Sequence, residues 1–376
     1  MIAIIAAVPA LCALVYTIIA FLALGRFHQM HAQPLATAPS VTILRPLYGA
    51  EPELAANLET LLAQNYPGPV EIICGVRDPD DPAVPIVRAV QARHPGAILR
   101  LIIDPRRWGA NNKISNLHNM AQQAKGEIIL ISDSDVALPP GALDRLAAAL
   151  AMPGVGLVTC FYAGRGHAGL WSKLAAMDMS YRFMPSVAVS VLTGLGHPAL
   201  GPTMAFKRAT FEAIGGFTRF TNIIAEDYAM GQAVRALGLK SAIPPLCIVH
   251  GCAETSARGV INHELRWTKT IYGVDPAGFM GSIFTHALPL SLIACAVHPP
   301  FWPLILAALG MRHALALRMD AIAGWSSGPK ILLPMRDLFS FAIFLMTFFV
   351  NRVNWRGSRF TLAAKGRISA AQDIDL

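Results

Sequence analysis

The amino-acid sequence predicts an α/β fold, a doubly wound and mostly parallel sheet, attached to transmembrane α-helices. Strand-like and helix-like segments alternate through residues 41–135, which is the pattern of a right-handed parallel α/β sheet. Residues 2–25 carry no charged side chain and are long enough to span a bilayer. Of the 376 residues, 54% are hydrophobic and only 14% are charged, which is too apolar for an ordinary soluble enzyme.

The N-terminal segment, residues 1–26, is interpreted as a transmembrane helix. A signal peptide is the alternative, but the segment lacks a basic n-region and its apolar run is too long. Arg26 ends the segment, and the positive-inside rule therefore places the following domain in the cytoplasm. A polar linker at 27–40 leads into this domain, residues 41–275. Its Met- and aromatic-rich stretch near 169–195 predicts either ordinary core or an interfacial surface against lipid.

Acidic side chains follow two of the predicted strands in this domain. The strands are predicted at residues 41–47, 70–76, 98–104 and 127–131, with helices at 51–64, 83–94 and 112–124. Asp78 follows the second strand, and Asp133 and Asp135 follow the fourth. Ligands of open α/β sheets bind at the carboxyl ends of the strands. Carboxylates one residue apart can hold Mg²⁺ or Mn²⁺ together with phosphate oxygens, although a simple turn also favours Asp and Ser.

Motifs that are absent narrow the classes of function. Neither GxxxxGK[ST] nor GxGxxG follows a strand, so any nucleotide must be held by carboxylates and a metal instead of a glycine-rich loop. The formal charge of +8 suits a phosphorylated substrate or an anionic lipid. No run of Lys and Arg occurs, and nucleic acid is therefore not an expected partner. The six cysteines are scattered without a CxxC pair, which predicts neither a zinc site nor a disulfide framework.

Two further stretches place polar side chains on predicted helices. Glu226 and Asp227 open a helix, where the dipole favours carboxylates, so a simple N-terminal cap is one interpretation. His263, Arg266 and Trp267 are spaced i, i+3, i+4 and share one helix face. An Arg beside a Trp can clamp phosphate while the ring packs on a sugar or lipid, although a cation–π pair is the alternative.

The C-terminal region, residues 282–351, is predicted to return to the membrane. Two apolar segments, 282–297 and 301–317, predict a tight transmembrane hairpin. A further apolar segment at 338–350 is short for a span. The basic tail, 352–376, should be cytoplasmic by the positive-inside rule, whereas a full fourth span would place it outside. These two expectations conflict.

Taken together, these stretches resemble the ceramide glucosyltransferase family of membrane-bound inverting glycosyltransferases. The resembling motifs are RPLYG at 45–49, NLET at 57–60, DPDDPA at 78–83, NKISNL at 112–117, GLV at 156–158, AEDY at 225–228 and RWT at 266–268. The stretches HELRW at 263–267 and VDPAG at 274–278 are most similar to the bacterial hopanoid-biosynthesis branch. His263 departs from the family pattern, because the wider family has Gln or Arg at that position.

The resemblance implies a GT-A-type domain and gives each polar residue an expected role. The donor-binding side chains would be Asp78, Lys113, Asp133, Arg266 and Trp267. Asp133 and Asp135 would hold the divalent metal, Mg²⁺ or Mn²⁺. Asp227 would be the general base, which takes the proton of the acceptor hydroxyl. The acceptor-side candidates are Glu226, His263 and Trp267.

The predicted function follows from these roles. The protein would move N-acetylglucosamine or glucose from a UDP-sugar donor to a hydroxyl of a membrane lipid acceptor, in first place a hopanoid polyol. Ceramide is the alternative acceptor, and a polysaccharide synthase or a non-catalytic membrane protein is a more distant alternative. The expected location is the cytoplasmic membrane, as a multi-pass protein whose catalytic domain faces the cytoplasm.

Overall fold

A computed structural model describes residues 2–31 and 34–350, with three short C-terminal strands at Arg352–Trp355, Ser358–Leu362 and Ile368–Ala370. The chain forms two compact units. The sheet unit comprises Met30–Tyr162 and His197–Ala253, and the helical unit comprises Met1–Gln29, Ala163–Gly196 and Glu254–Leu376. The side chains of the predicted basic tail, 352–376, lie outside the described residues.

The sheet unit is built on a seven-stranded sheet. The strands of the chain up to the tail are β1 (Val41–Pro46), β2 (Val70–Val76), β3 (Leu99–Ile103), β4 (Ile128–Ser132), β5 (Val136–Ala137), β6 (Val155–Thr159), β7 (Phe161–Gly166), β8 (Thr203–Lys207), β9 (Lys240–Ala242) and β10 (Cys247–Cys252). The large sheet has the order β3-β2-β1-β4-β8-β6-β9. Strands β1 to β4 run parallel, and β8 runs antiparallel to both β4 and β6. The predicted mostly parallel sheet is confirmed, with one reversed strand that the sequence pattern did not orient.

Helices cover both faces of this sheet, as a doubly wound fold requires. The α-helices of the described residues are α1 (Ile2–Gln29), α2 (Leu54–Leu62), α3 (Ala83–Arg93), α4 (Asn112–Ala121), α5 (Ala142–Ala151), α6 (Leu170–Asp178), α7 (Met184–Thr193), α8 (Arg208–Ala213), α9 (Glu226–Ala236), α10 (Ala257–Val274), α11 (Pro276–Gly281), α12 (Ala287–Val297), α13 (Trp302–Ala323) and α14 (Leu333–Thr347). Every residue of β1 and β4 is buried. The core around them contains Leu44, Ile129, Phe206 and Leu117. Strand β4 is thus buried on both faces, as its apolar run indicates.

A small antiparallel pairing follows the large sheet at the end of β4. Strand β5 begins one residue after Asp135 and pairs with β10, which sets Val136 opposite His250. The backbone N–H of Gly251 donates to the carbonyl of Asp135 at 2.7 Å. The Asp-x-Asp segment is therefore held between a buried strand and a two-stranded ladder, which restricts its backbone.

In the described part of the helical unit, two helices are long and apolar enough to cross a membrane, Ile5–Gln29 and Pro299–Ala323. A third span would require the pair Pro276–Thr285 and Ala287–Val297, which is bent by 67°. Helices α1, α12 and α13 share an apolar core that includes Ala13 and Leu290. Helix α14 has 15 residues and a length of about 22 Å, which is shorter than a bilayer core of about 30 Å.

The stretch near 169–195 is not one continuous α-helix. Helices α6 and α7 are separated by a π-helix at Met179–Phe183, which shifts the side chains that follow it. Tyr181 and Met184 are buried within the helical unit, whereas Leu195 is 88% exposed. Most of the stretch is therefore core, and large apolar side chains are exposed at its two ends, Leu170 at one and Val191 and Leu195 at the other.

Candidate active site

Arg45 of β1 braces the segment that carries Asp133 and Asp135. Its guanidinium donates to the Ser132 hydroxyl at 2.9 Å and to the carbonyls of Ser134 and Val136 at 2.8 and 2.7 Å. Arg45 is fully buried, and burial lowers its pKa to about 10 even though the two aspartates favour the charged form. The buried positive charge of Arg45 lies beneath the segment and stabilises the carboxylates of Asp133 and Asp135. A simple turn would not need such a charge.

Lys113 of α4 joins two of the predicted acidic residues. Its Nζ lies 2.8 Å from Asp133 Oδ1 and 3.3 Å from Glu226 Oε1. The Lys113 side chain is only 16% exposed. Burial disfavours its charge, but Asp133 and Glu226 outweigh burial and raise the Lys113 pKa. The ammonium is therefore permanently charged at neutral pH and fixes Asp133 relative to the start of α9.

Asn111 connects the starts of helices α4 and α9. Its side-chain oxygen caps α4 by accepting from the Ile114 N–H at 3.1 Å. Its amide nitrogen donates to the Ile223 carbonyl at 2.7 Å and to Glu226 Oε2 at 3.3 Å. The N-termini of the two helices therefore face the same polar cluster, where their dipoles favour negative charge.

Asp227 and Glu226 point to different partners, as the rotation of about 100° between adjacent helical residues requires. Glu226 is buried against Lys113. Asp227 accepts from the Gly201 N–H at 3.1 Å and from the Tyr228 N–H at 2.7 Å. Burial raises the Asp227 pKa, and the hydrogen bond from Tyr228 only partly opposes this rise. A carboxylate with a raised pKa is a better proton acceptor than an exposed one.

The segment Gly201-Pro202 ties the two acidic centres together. The Asp133 N–H donates to the Pro202 carbonyl at 3.0 Å, and the Gly201 N–H holds Asp227. A cavity of about 10 Å³, enough for one water molecule, is lined by Lys113, Leu117, Ile131, Gly201, Met204, Glu226, Asp227 and Met230. Asp227 thus borders a small cavity at the carboxyl end of β4 whose accessible lining is mostly apolar.

Asp135 has different neighbouring side chains from Asp133. Its Oδ2 lies 3.6 Å from Nε2 of His250 on β10, and its buried Oδ1 has no hydrogen-bond partner. Sequence reasoning missed His250, because the only local signal is a His within an apolar strand. The antiparallel pairing of β5 with β10 brings it to the site.

The acidic residues fit a divalent metal in part. Within residues 2–31 and 34–350, no three His, Cys, Asp or Glu side chains converge as a complete metal site. Among the described residues, the buried Oδ1 atoms of Asp135 and of Asp133 both lack a hydrogen bond. His250 lies beside Asp135, whereas both oxygens of Asp133 are within 3.0 Å of the Lys113 ammonium. Mg²⁺ usually binds one or two carboxylates and completes its shell with phosphates and water. The donor set is therefore suited to a metal that arrives with a diphosphate.

Asp78 lies after β2 at the same edge of the sheet. Its side chain is exposed and accepts from the Asp80 N–H at 3.0 Å. The neighbouring Asp81 holds the loop backbone instead, because it is buried and accepts from the backbone N–H groups of Gly49 and Ala83. Asp78 is therefore available at the rim of the sheet for a ligand.

The residues of HELRW lie in the helical unit, on α10. His263 Nδ1 contacts the Glu254 carboxylate. Its ring meets Trp267 edge-to-face at 4.7 Å, as the i, i+4 spacing predicts. Trp267 also packs near Phe183, with ring centroids 6.2 Å apart. His263 thus holds one side of the Trp267 ring, and Arg266 is the adjacent residue of the same helix.

The fold and site define a glycosyltransferase of the GT-A type, with an Asp-x-Asp segment at the end of a buried parallel strand and a Glu-Asp pair at the start of α9. The chain belongs to glycosyl transferase family 21, whose sequence model matches residues 4–368. The resemblance to the ceramide glucosyltransferase family and the predicted enzyme class are thereby confirmed.

Similar proteins cover almost the whole chain. Ceramide glucosyltransferase 1 of Caenorhabditis elegans is 23% identical over 378 residues, which are 96% of this chain and 79% of the relative. Ceramide glucosyltransferase 3 of the same organism is 23% identical over 368 residues, 89% of this chain and 75% of the relative. The mannosyltransferase PcManGT from Pyrobaculum calidifontis, solved with GDP-Man and Mn²⁺, has a TM-score of 0.53 and 21% identity. It covers 93% of this chain and 99% of its own, and it supports the GT-A fold.

Proposed function

We propose that this protein transfers a sugar from a UDP-sugar to a hydroxyl group of a membrane lipid, with inversion at the anomeric carbon. The observation that carries the proposal is the cluster in which Lys113 joins Asp133 to Glu226, directly beside Asp227. Burial raises the pKa of Asp227 and of Glu226, but only Glu226 is paired with the Lys113 ammonium. Membership of family 21 and the ceramide glucosyltransferase relatives support a lipid acceptor.

Asp227 would act as the general base. The acceptor oxygen attacks the anomeric carbon of the sugar while Asp227 takes the hydroxyl proton, and the bond from that carbon to the UDP oxygen breaks. Inversion needs one base and a stabilised leaving group, which agrees with one carboxylate here, Asp227, whose hydrogen bonds come from backbone N–H groups and not from a charged side chain. A retaining double displacement would require a nucleophilic carboxylate as well. Glu226 does not fit that part, since it is held by Lys113 and Asn111.

The donor would be held at the carboxyl edge of the sheet. Asp78 would bind the uracil or ribose portion, and Asp133 with Lys113 would lie toward the diphosphate. Asp135, with His250 beside it, would hold Mg²⁺ or Mn²⁺, which would neutralise the diphosphate when bound. As the family resemblance implies, Arg266 would compensate the charge of the departing diphosphate, and Trp267 would contact the acceptor.

The acceptor is proposed to be a hopanoid polyol, with ceramide as the alternative. The HELRW and VDPAG stretches favour the hopanoid branch, whereas the two nematode relatives are named for ceramide. Both acceptors present a hydroxyl group at the membrane surface. The sugar is proposed to be N-acetylglucosamine or glucose.

The protein is proposed to reside in the cytoplasmic membrane with its sheet unit in the cytoplasm. Arg26 and His28 at the end of α1 support this orientation by the positive-inside rule. Helix α14 is too short to cross a bilayer unaided, which supports an interfacial or re-entrant position for it. Such a position would leave the basic tail on the cytoplasmic side and would remove the conflict in the predicted topology.

Purified full-length protein tests the proposal directly. It should be incubated with UDP-glucose or UDP-N-acetylglucosamine, a divalent ion, and ceramide or a hopanoid polyol in parallel. The expected product is a lipid carrying one sugar in the β configuration. A growing polymer would instead indicate a polysaccharide synthase. A product in the α configuration would mean retention and would contradict the role of Asp227 as the base of an inverting transfer.

A further inference from the structure

A chain of buried charges crosses the helical unit and ends on α10. Arg336 of α14 is 1% exposed, and its Nη2 donates to both carboxylate oxygens of Glu264 on α10. Arg336 also lies 3.1 Å from Asp178 Oδ1 of α6. Asp178 is in turn bound by Arg182 at 2.7 and 2.6 Å and by the Ser340 hydroxyl at 2.5 Å. Two carboxylates and two guanidinium groups therefore balance in charge inside an apolar unit.

The chain continues along the seam between α10 and α14. The Thr268 hydroxyl lies 2.7 Å from the Thr347 hydroxyl, and Lys269 Nζ donates to the Thr347 carbonyl at 3.3 Å. Glu264 and Thr268 are one helical turn apart, so they lie on one face of α10. Polar contacts at two successive turns of the same face fix both the position of α10 and its rotation about its own axis.

That rotation decides where the HELRW side chains point. At about 100° per residue, Arg266 projects about 160° away from Glu264, on the opposite side of α10. Trp267 packs near Phe183, the last residue of the π-helix that begins directly after Asp178. The same short segment of the chain thus anchors Arg336 through Asp178 and contacts Trp267 through Phe183.

We infer that Glu264, Arg336 and Asp178 are positioning residues for sugar transfer, because they set the rotation of α10 and hence the direction of Arg266 and Trp267. This inference rests on the proposed function. A buried ion pair is often no more stabilising than apolar side chains of similar size. Its value here lies in specifying a single rotation of α10, which apolar contacts alone would define less sharply.

The helical unit supplies a matched control pair. Arg312 of α13 makes a bidentate contact with Asp337 of α14 at 2.9 and 2.7 Å, and both side chains are buried. This pair likewise joins a guanidinium to a carboxylate and shares α14. Arg312 also donates to the Tyr181 carbonyl of the π-helix, and among the described residues neither side chain forms an ion pair or a hydrogen bond with α10. Replacing each pair by apolar residues removes similar charges from the same unit, and only one replacement frees α10.

The test compares Glu264→Leu/Arg336→Met with Arg312→Met/Asp337→Leu in full-length protein purified in detergent. Transfer is measured from labelled UDP-glucose and UDP-N-acetylglucosamine to ceramide and to a hopanoid polyol, normalised to the fraction of protein that binds UDP. We expect kcat to fall at least ten-fold in the first variant, with the donor KM changed less than three-fold, and to stay within two-fold in the second.

A milder variant keeps the test decisive if the first double variant does not fold. Glu264→Gln leaves Arg336 paired with Asp178, and kcat should fall at least five-fold. Equal losses of kcat in the two double variants, or wild-type turnover in Glu264→Gln, would overturn the positioning role. Wild-type protein that transfers no sugar would instead overturn the proposed function, and the positioning role with it.

Discussion

Asp227 is the residue on which the proposed chemistry depends most directly. Asp227→Asn should keep the fold and UDP binding, because an amide oxygen can still accept from the Gly201 N–H. Transfer should fall by about 10²–10⁴-fold, since the amide cannot take the acceptor proton. Turnover and UDP affinity should be measured for this variant and for Glu226→Gln. Near-normal turnover of Asp227→Asn, or a greater loss in Glu226→Gln, would place the base on the other carboxylate.

The pKa of Asp227 also predicts the acid limb of the pH profile. Burial raises this pKa, and Lys113 is one of the groups that lower it. A base acts in its ionised form, so transfer should increase as pH rises through a pKa above the ordinary Asp value of about 3.9. Lys113→Gln removes the positive charge and should move the acid limb to higher pH. A limb that moves to lower pH in this variant would show that another group controls it.

The two aspartates of the Asp-x-Asp segment are expected to differ in their dependence on metal. Asp135 has an unpaired oxygen beside His250, while Asp133 is bonded to Lys113. EDTA should abolish transfer, and Mn²⁺ or Mg²⁺ should restore it. Asp135→Asn and His250→Gln should each raise the metal concentration needed for half-maximal rescue, by about 10–100-fold. Full activity in EDTA would show that transfer needs no divalent ion.

At the scale of elements, the reversed strand β8 delivers the Gly201-Pro202 segment to the site. A Cβ atom at Gly201 would lie 3.0 Å from Asp227 Oδ2, so an alanine must displace that carboxylate by a few tenths of an ångström. Gly201→Ala should therefore lower turnover by about ten-fold or more. The thermal midpoint should change little, because the neighbour that moves is a side chain.

Gly96→Ala is the matched control for this prediction. Gly96 belongs to the same sheet unit, and a Cβ atom there meets no other atom within 4 Å. Turnover and the thermal midpoint should both stay near the wild-type values. Equal turnover in Gly201→Ala and Gly96→Ala would mean that the Asp227 carboxylate tolerates displacement.

At the scale of the whole molecule, the proposed topology predicts which segments a protease can reach. Two described helices qualify as spans by length and apolarity, and α14 does not. Protease outside intact spheroplasts should therefore leave residues 41–275 uncut, whereas lysed spheroplasts should yield fragments. A tag placed after residue 376 should also be protected if α14 does not cross. Rapid external cleavage within 41–275 would mean that the orientation is inverted.

The sequence alone determined the class of fold, the family and the stretches that carry the polar residues. Residues 128–131 are an apolar run that predicts a buried strand, and the charged residues Asp133 and Asp135 follow shortly after it. The alternation of segments likewise identifies a parallel sheet, because each parallel connection requires a crossover. Local spacing also placed His263 and Trp267 on one helix face, where their rings are in contact.

Only the tertiary structure decided which polar groups are partners. Lys113 meets Asp133 across 20 positions, Arg45 reaches Val136 across 91, and Asn111 reaches Glu226 across 115. His250 joins Asp135 only because β10 pairs antiparallel with β5. The hydrophobic period of a segment records which of its faces is buried and does not record which element covers it. The tertiary structure therefore decided that Arg45 lies beneath the Asp-x-Asp segment, that Lys113 joins Asp133 to Glu226, and that His250 lies beside Asp135. The sequence pattern could indicate none of these contacts.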